Sequence, residues 1–153
     1  MSNLAAFLHM IGVSEGTVQI PDSDDGYRVI VGSTPARPVL FHSYADHPRI
    51  KVQLRPGLIS TAAGKFQILE RIFDAYKGML NLPDFGPSSQ DAIAEQMIRE
   101  RGAYADIMTG HFDHAVEKVS NLWASLPGAG YSQHENSLAD LRQAFTGAGG
   151  VLA

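Results

Sequence analysis

The sequence predicts an α+β fold, mostly helical with a small antiparallel β-sheet lining one side of a cleft, in a single domain over residues 1–153. Apolar residues recur at helical spacing near the N-terminus and again in several segments after residue 67. Runs of β-branched and aromatic residues occur only between residues 27 and 60. Strands confined to one stretch, with helices before and after them, favour a sheet segregated to one side of a helical body.

The first predicted helix has an apolar face formed by Leu4, Phe7, Leu8 and Ile11. Ser2 or Asn3 would cap its first turn, and Gly16 can adopt the left-handed conformation that ends helices. Glu15 then lies in the last turn or just past it, where the helix carbonyls disfavour an ionised carboxylate. Apolar neighbours such as Phe7 or Ile11 would desolvate it further. We therefore expect Glu15 to keep its proton near neutral pH and to be capable of general acid catalysis.

The next stretch predicts the sheet. Residues 18–26 are polar and acidic and predict a surface loop, and residues 27–31 predict a strand that ends at Gly32. Residues 39–41 restart an extended run that can pair with the first strand as a hairpin. Residues 43–58 are predicted to be a loop with at most one short strand.

Helical periodicity then returns for the rest of the chain. The first of four or five further helices carries Ile68, Leu69, Ile72, Phe73, Tyr76 and Leu80 and is broken by Pro83. Ser88 and Asp91 resemble a capping box that opens the next helix, which directs Ile93 and Met97 inward and stops at Gly102. The remaining helices are predicted at residues 103–109, at 112–123 with closure by Pro127–Gly128, and from about residue 136 to Phe145. The junction of the sheet part with the helical part is the predicted cleft.

Composition excludes several classes of function. A net charge of −4 and a pI near 5.8 argue against nucleic-acid binding, and no apolar run approaches the ~20 residues of a membrane span. The absence of cysteine excludes disulfides, thiolate metal sites and a cysteine nucleophile. His111 and His114 have a metal-compatible spacing but no third ligand, and His42 and His47 have a structural interpretation. We expect neither a metal nor an organic cofactor.

Glycosidic cleavage is the chemistry that fits a protonated glutamic acid at a helix end. Hydrolysis usually requires a second carboxylate, for which Asp24 and Asp25 are candidates. An alternative needs no second acid, because a sugar hydroxyl can attack the anomeric carbon while Glu15 serves as acid and then as base. The residues alone leave both routes open.

Several segments, taken together and in order, resemble the family of the bacteriophage lambda endolysin. They are Ser14–Thr17, Gly26–Gly32, Tyr44–Arg49, Ser60–Gln67, Ser89–Ala92 and Trp123–Tyr131. The resemblance covers residues 4 to 150 approximately and implies a lysozyme-like fold. It also implies cleavage of the MurNAc–GlcNAc β-1,4 bond of peptidoglycan by lytic transglycosylation, which leaves a 1,6-anhydro-muramoyl end.

The resemblance assigns roles to particular residues. The glutamate of the family's Ser-Glu-Gly motif maps onto Glu15 as the catalytic acid and base. Gln67 and Tyr131 map onto cleft residues that bind substrate, and Tyr27 and Phe66 are further substrate-binding candidates. The family further implies a phage or prophage protein, monomeric, that accumulates in the host cytoplasm and acts in the periplasm after holin-dependent release.

Two departures from the family pattern leave alternatives open. Arg28 stands where the family has an aspartate, and Val13 stands where it has an aromatic residue. Asp24 matches the aspartate of T4-type lysozymes, although Ile30 replaces their threonine. A hydrolytic muramidase that uses Glu15 with Asp24 or Asp25 is therefore the first alternative. A non-catalytic wall-polysaccharide binding protein on the same fold is the second, and the retained Glu15 argues against it.

Overall fold

The computed structural model describes residues 2–128 and 135–153. These residues form six helices and one two-stranded antiparallel sheet, which confirms the predicted α+β class. In chain order the elements are α1 (Asn3–Glu15), β1 (Val52–Arg55), β2 (Leu58–Ser60), α2 (Glu70–Leu80), α3 (Pro87–Glu100), α4 (Tyr104–Met108), α5 (Phe112–Val119) and α6 (Leu138–Gly147). The chain divides into two compact units, one of residues 1–15 and 94–153 and one of residues 16–93. No described helix is both long enough and apolar enough to cross a bilayer.

The core of the first unit is a cluster of three aromatic rings from α1, α5 and α6. Phe7 lies 5.9 Å from Phe112 and 6.4 Å from Phe145, and the latter two rings are 5.0 Å apart, measured between centroids. Edge-to-face and tilted contacts of this kind add to the free energy of apolar burial. The ring of Phe145 also requires a residue without a side chain at Gly150, because a Cβ there would lie 2.5 Å from it.

Both ends of α1 agree with the sequence prediction. The Ser2 hydroxyl accepts a hydrogen bond from the Ala5 amide at 3.1 Å, which caps the first turn. Gly16 follows Glu15 with φ 77°, the left-handed conformation that only glycine adopts readily. Asn3 ties the helix to the rest of its unit, since its amide donates to the Ile107 carbonyl at 2.9 Å. Glu15 is therefore the last residue of a firmly held helix.

In the second unit the small antiparallel sheet lies within the predicted range of residues 27–60, but its strands are not the predicted pair. Strands β1 and β2 lie in the stretch predicted to be mostly loop, whereas residues 27–31 form only isolated bridges, Val29 with Leu40 and Ile30 with Ala63. The reason is that the backbone groups of this segment are shared among different partners. The Val29 amide bonds the Gly26 carbonyl of the preceding turn, while the Val29 carbonyl accepts from the Gly64 amide. The predicted hairpin with residues 39–41 is therefore reduced to one antiparallel bridge, in which the Ile30 amide donates to the Val39 carbonyl and the Phe41 amide donates to the Arg28 carbonyl, both at 2.9 Å.

Two helix boundaries also differ from the prediction. Helix α3 begins at Pro87, so Ser88 lies inside the first turn and the predicted capping box is wrong. Asp84 organises this start instead, accepting from the Gly86 amide at 2.9 Å and the Ser89 hydroxyl at 2.8 Å. Proline is favoured at the first helical position because its missing N–H has no partner there anyway.

Helix α5 ends earlier than the apolar spacing predicts. Its last residue is Val119, and Trp123 lies beyond it in the following turns with 3% of its surface exposed. Apolar spacing cannot distinguish a further helical turn from a loop that folds back to bury the same side chain. In α3, Ile98 rather than Met97 is fully buried.

Candidate active site

Glu15 lies half-buried at the C-terminal end of α1. The helix carries it there because Phe7, Met10 and Ile11 are fully buried and fix the helix against its own unit. The left-handed turn at Gly16 ends the helix directly after the carboxyl group. The local part of the sequence prediction, a single carboxyl at a helix end, is thus confirmed.

Two serines and an asparagine surround this carboxyl group. The Ser125 hydroxyl donates to Glu15 Oε2 at 3.1 Å and lies 2.8 Å from the Ser14 hydroxyl. The Asn136 amide nitrogen donates to Ser14 Oγ at 3.1 Å and to the Ser14 carbonyl at 3.0 Å. Side chains from α1, from the turn after α5 and from the segment before α6 are therefore joined by hydrogen bonds, and Ser125 links them to one carboxyl oxygen.

Burial raises the pKa of Glu15 from its ordinary value of 4.5 to about 7, and the hydrogen bond from Ser125 lowers it in part. Desolvation disfavours the charged form of an acid, whereas a donor to the carboxylate favours it. Both protonation states are consequently accessible near neutral pH. This agrees with the expectation that Glu15 keeps its proton near neutrality, although burial rather than the helix end is the leading cause.

Three of the predicted substrate-binding residues lie in the second unit. The Tyr27 and Phe66 rings are brought together edge to face with centroids 6.4 Å apart. The Tyr27 hydroxyl donates to Asp91 Oδ1 at 2.8 Å, and burial together with this neighbouring carboxylate raises the pKa of the tyrosine. Phe66 is only 1% exposed, so its ring packs in the core in this conformation.

Gln67 is half-buried and adopts a left-handed backbone conformation with φ 52°. The side-chain amide nitrogen of Gln67 donates to the Gly64 carbonyl at 2.9 Å, so the side chain bonds back to the start of its own turn. Non-glycine residues with positive φ are uncommon, and they occur disproportionately at functional sites. The fourth predicted residue, Tyr131, lies outside the described residues.

Gln90, to which the sequence analysis gave no separate role, holds the turn that contains Gln67 by a side-chain hydrogen bond. Gln90 is fully buried, accepts from the Lys65 amide at 3.0 Å and donates to the Tyr27 carbonyl at 3.0 Å. A Cβ at Gly64 would lie 2.2 Å from Gln90 Oε1, so this approach requires glycine. Gln90 thereby joins the segments of Tyr27 and Gln67.

Both candidate second carboxylates have partners within the second unit. Asp25 Oδ2 accepts from the ammonium group of Lys65 at 2.8 Å, and the Lys65 side chain is only 5% exposed. Asp24 Oδ2 accepts from the Tyr44 hydroxyl at 2.5 Å. Arg28 places its guanidinium 4.2 Å from the centroid of the Tyr44 ring and donates to the His42 carbonyl. The arginine that departs from the family pattern is thus part of the same loop structure.

The described residues contain no cluster of three or more histidine or acidic side chains that could hold a metal ion. His111 and His114 stack with ring centroids 6.2 Å apart, and both are exposed. His47 is buried, its Nε2 lies 2.8 Å from the Ile68 carbonyl, and burial lowers its pKa. These side chains have structural or solvated positions, as the sequence interpretation expected.

Ser125 and Asn136 are the residues near Glu15 that sequence reasoning missed. Ser125 lies inside the Trp123–Tyr131 segment, whose pattern indicates the family but no role for this serine. Nothing in the local sequence distinguishes Asn136 from any residue before a helix cap. The separation along the chain explains this, since Ser125 follows Glu15 by 110 positions. Only the fold brings them into contact.

Comparison with known proteins gives consistent matches. Residues 5–152 match the family described as Endolysin. The endolysin of Escherichia phage P2 is 48% identical, with 99% of this chain and 95% of that protein covered, and the endolysin of Escherichia phage lambda is 48% identical, with 96% and 91% covered. A solved structure of bacteriophage lambda lysozyme complexed with a chitohexasaccharide has a TM-score of 0.92 at 47% identity and covers 100% of this chain and 98% of that one. A second lambda lysozyme structure has a TM-score of 0.88 at 46% identity, with 100% and 98% covered.

Proposed function

Because the chain belongs to the endolysin family and has the fold of lambda lysozyme, we propose that it cleaves the MurNAc–GlcNAc β-1,4 bond of peptidoglycan by lytic transglycosylation. The single observation that carries the proposal is the carboxyl of Glu15, buried enough for a pKa of about 7. The complex of the related lambda lysozyme with a chitohexasaccharide supports a glycan as the substrate.

In the proposed reaction Glu15 acts twice. Its proton passes to the glycosidic oxygen as the bond from that oxygen to C1 of the muramoyl residue breaks. The resulting carboxylate then takes the proton of the muramoyl C6 hydroxyl as the C6 oxygen bonds C1, which closes the 1,6-anhydro ring. Water is not consumed, and Glu15 regains its proton. A group that serves first as acid and then as base works best with a pKa near the operating pH.

The positions of Asp24 and Asp25 support this route over hydrolysis. A base that activates water must be free to accept a proton, yet Asp25 neutralises the buried Lys65 ammonium and Asp24 accepts from Tyr44. Withdrawing Asp25 would leave a buried cation without its partner, which costs several kcal/mol in proteins generally. We therefore propose that neither aspartate takes part in bond cleavage.

The remaining assignments follow from the resemblance of the segments. We propose Tyr27, Phe66, Gln67 and Tyr131 as residues that contact the glycan or support those that do. We also propose a phage or prophage origin, a monomeric state, no nucleic-acid partner and no membrane insertion. Accumulation in the host cytoplasm and holin-dependent release to the periplasm complete the proposal.

Digestion of purified sacculi in H2(18)O distinguishes the two reactions. Transglycosylation yields muramoyl ends that carry neither the label nor an added water, whereas hydrolysis yields reducible ends with one (18)O atom. Mass spectrometry of the released muropeptides measures both. Labelled, reducible ends as the main product would refute the transglycosylase assignment and favour the muramidase.

Variants separate catalysis from binding. Glu15→Gln is nearly isosteric and should abolish the turbidity loss of permeabilised Gram-negative cells while the protein still sediments with sacculi. Glu117→Gln, at an exposed position on α5, is the matched control and should lyse at the native rate. A native chain that binds sacculi without releasing fragments would favour the binding-protein alternative. A Glu15→Gln variant with native activity would remove Glu15 from the mechanism.

A further inference from the structure

We propose that Asn136, Ser14 and Ser125 form a one-way chain of hydrogen bonds that keeps Glu15 Oε2 as an acceptor and confines the transferable proton to Oε1. This inference rests on the proposed function, because it assigns a role to each oxygen of the proposed acid. Ser14, Ser125 and Asn136 are positioning residues in it, since they act through Glu15.

The direction of the chain follows from counting hydrogens. A hydroxyl group has one hydrogen, and the ionised carboxylate of Glu15 can only accept, so in that state Ser125 uses its hydrogen in the 3.1 Å bond to Glu15 Oε2. The 2.8 Å contact between the two serine hydroxyls must then have Ser14 as its donor. Ser14 Oγ in turn accepts from the Asn136 amide nitrogen, which can only donate, at 3.1 Å. Every bond of the chain therefore points toward the carboxyl group.

The chain is held by the backbone as well as by side chains. The main-chain N–H of Asn136 donates to the Ser125 carbonyl at 2.8 Å. This backbone bond fixes the residues before α6 to the turn after α5. The hydroxyl-bearing residues are buried, Ser14 being 7% and Ser125 9% exposed. Hydrogen bonds in such surroundings are stronger than in water, and linked bonds polarise one another. The orientation of the Ser125 hydroxyl is thereby set before substrate arrives.

The consequence concerns which oxygen does the chemistry. With Oε2 engaged as an acceptor, the acid proton of Glu15 is placed on Oε1, and after it is transferred the same donor continues to stabilise the carboxylate. Oε1 then both gives and receives the proton, which suits a reaction in which one residue acts as acid and later as base. Burial raises the proton affinity of Glu15 and the hydrogen bond from Ser125 lowers it. Within the described residues no charged side chain contributes to the change.

The test combines a titration of Glu15 with the pH dependence of lysis. Ser125→Ala removes the donor, so we expect the carboxyl resonance of Glu15, followed by (13)C NMR, to titrate about one pH unit higher. The alkaline limb of the sacculus-cleavage profile should move by the same amount, and the rate at the optimum should fall about tenfold. Ser125→Thr keeps a hydroxyl and should restore both. Ser120→Ala, which removes a hydroxyl that bonds only the Glu117 carbonyl in the described structure, is the matched control.

The outcomes distinguish the chain from the proposed function. If Glu15 titrates at its native value in folded Ser125→Ala, the chain is refuted even if Glu15→Gln abolishes lysis. If Glu15→Gln lyses normally, the catalytic role fails, while the NMR titration still decides whether Ser125 governs the proton. Asn136→Ala, which lacks direct contact with Glu15, should move the titration in the same direction. An unchanged Glu15 titration in Asn136→Ala also refutes the hydrogen-bond chain. If Ser125→Ala does not fold, Asn136→Ala takes its place in the test.

Discussion

Replacing Glu15 by glutamine should stabilise the protein, and the gain should depend on pH. Below about pH 4.5 the carboxyl is protonated in both the native and the unfolded chain. Between about 4.5 and 7 the native chain holds a proton that the unfolded chain has released, so the native state loses stability as the pH rises. Above 7 the loss is complete and constant. The interval corresponds to about 3 kcal/mol of unfolding free energy, a loss that the neutral amide of glutamine avoids.

Urea unfolding of both proteins at intervals from pH 4 to pH 8.5 measures this effect. The difference between variant and native chain should be smallest at pH 4, rise through the interval and level off near pH 8, where the melting temperature should be higher by about 6–12 °C. Glu117→Gln, exposed on α5, should show no such rise. A difference that is constant with pH, or largest at acidic pH, would refute the reasoning that burial holds the proton on Glu15.

Three further predictions concern the framework. Gly64→Ala should cost about 1–3 kcal/mol by urea unfolding, because the added Cβ meets Gln90 Oε1 and φ is +84°; an unchanged midpoint would contradict the close approach. Phe145→Ala should lower the free energy of unfolding by about 3–5 kcal/mol, whereas Met79→Ala, at an exposed position, should change it by no more than about 0.5 kcal/mol. Equal losses in the two variants would exclude the aromatic cluster as the core. Arg49→Gln should lower the melting temperature at low salt but not in 1 M NaCl, and a salt-independent loss would point to packing rather than charge.

The prediction for Arg49 rests on the contacts that the Tyr44–Arg49 segment makes in the folded chain. The Arg49 guanidinium bonds Asp46 at 2.9 Å, Glu70 at 3.0 Å and Asp74 at 2.6 Å. It thereby fastens the loop before β1 to the outer face of α2 and holds the pKa of Asp46 and Asp74 below their usual values. The segment helped to identify the family, yet its side chains maintain the fold.

Features that depend only on neighbouring residues were predictable from the sequence. The cap at Ser2, the apolar face of α1 and the end at Gly16 are local, and together they placed Glu15 at a helix end. The short helix α4, predicted at residues 103–109, followed from the same kind of local signal. Where only local signals were available for a nonlocal structure, as for the strand predicted at residues 27–31, the prediction was wrong.

The surroundings of Glu15 depend on long-range contacts that no local pattern predicts. The hydroxyl of Ser125 and the amide of Asn136 come from segments more than a hundred positions away, and no periodicity or spacing relates them to α1. Hydrogen bonds and desolvation act over a few ångströms in space, whereas sequence patterns report neighbours along the chain. The local sequence therefore places Glu15 at a helix end, and burial in the folded chain raises its pKa to about 7.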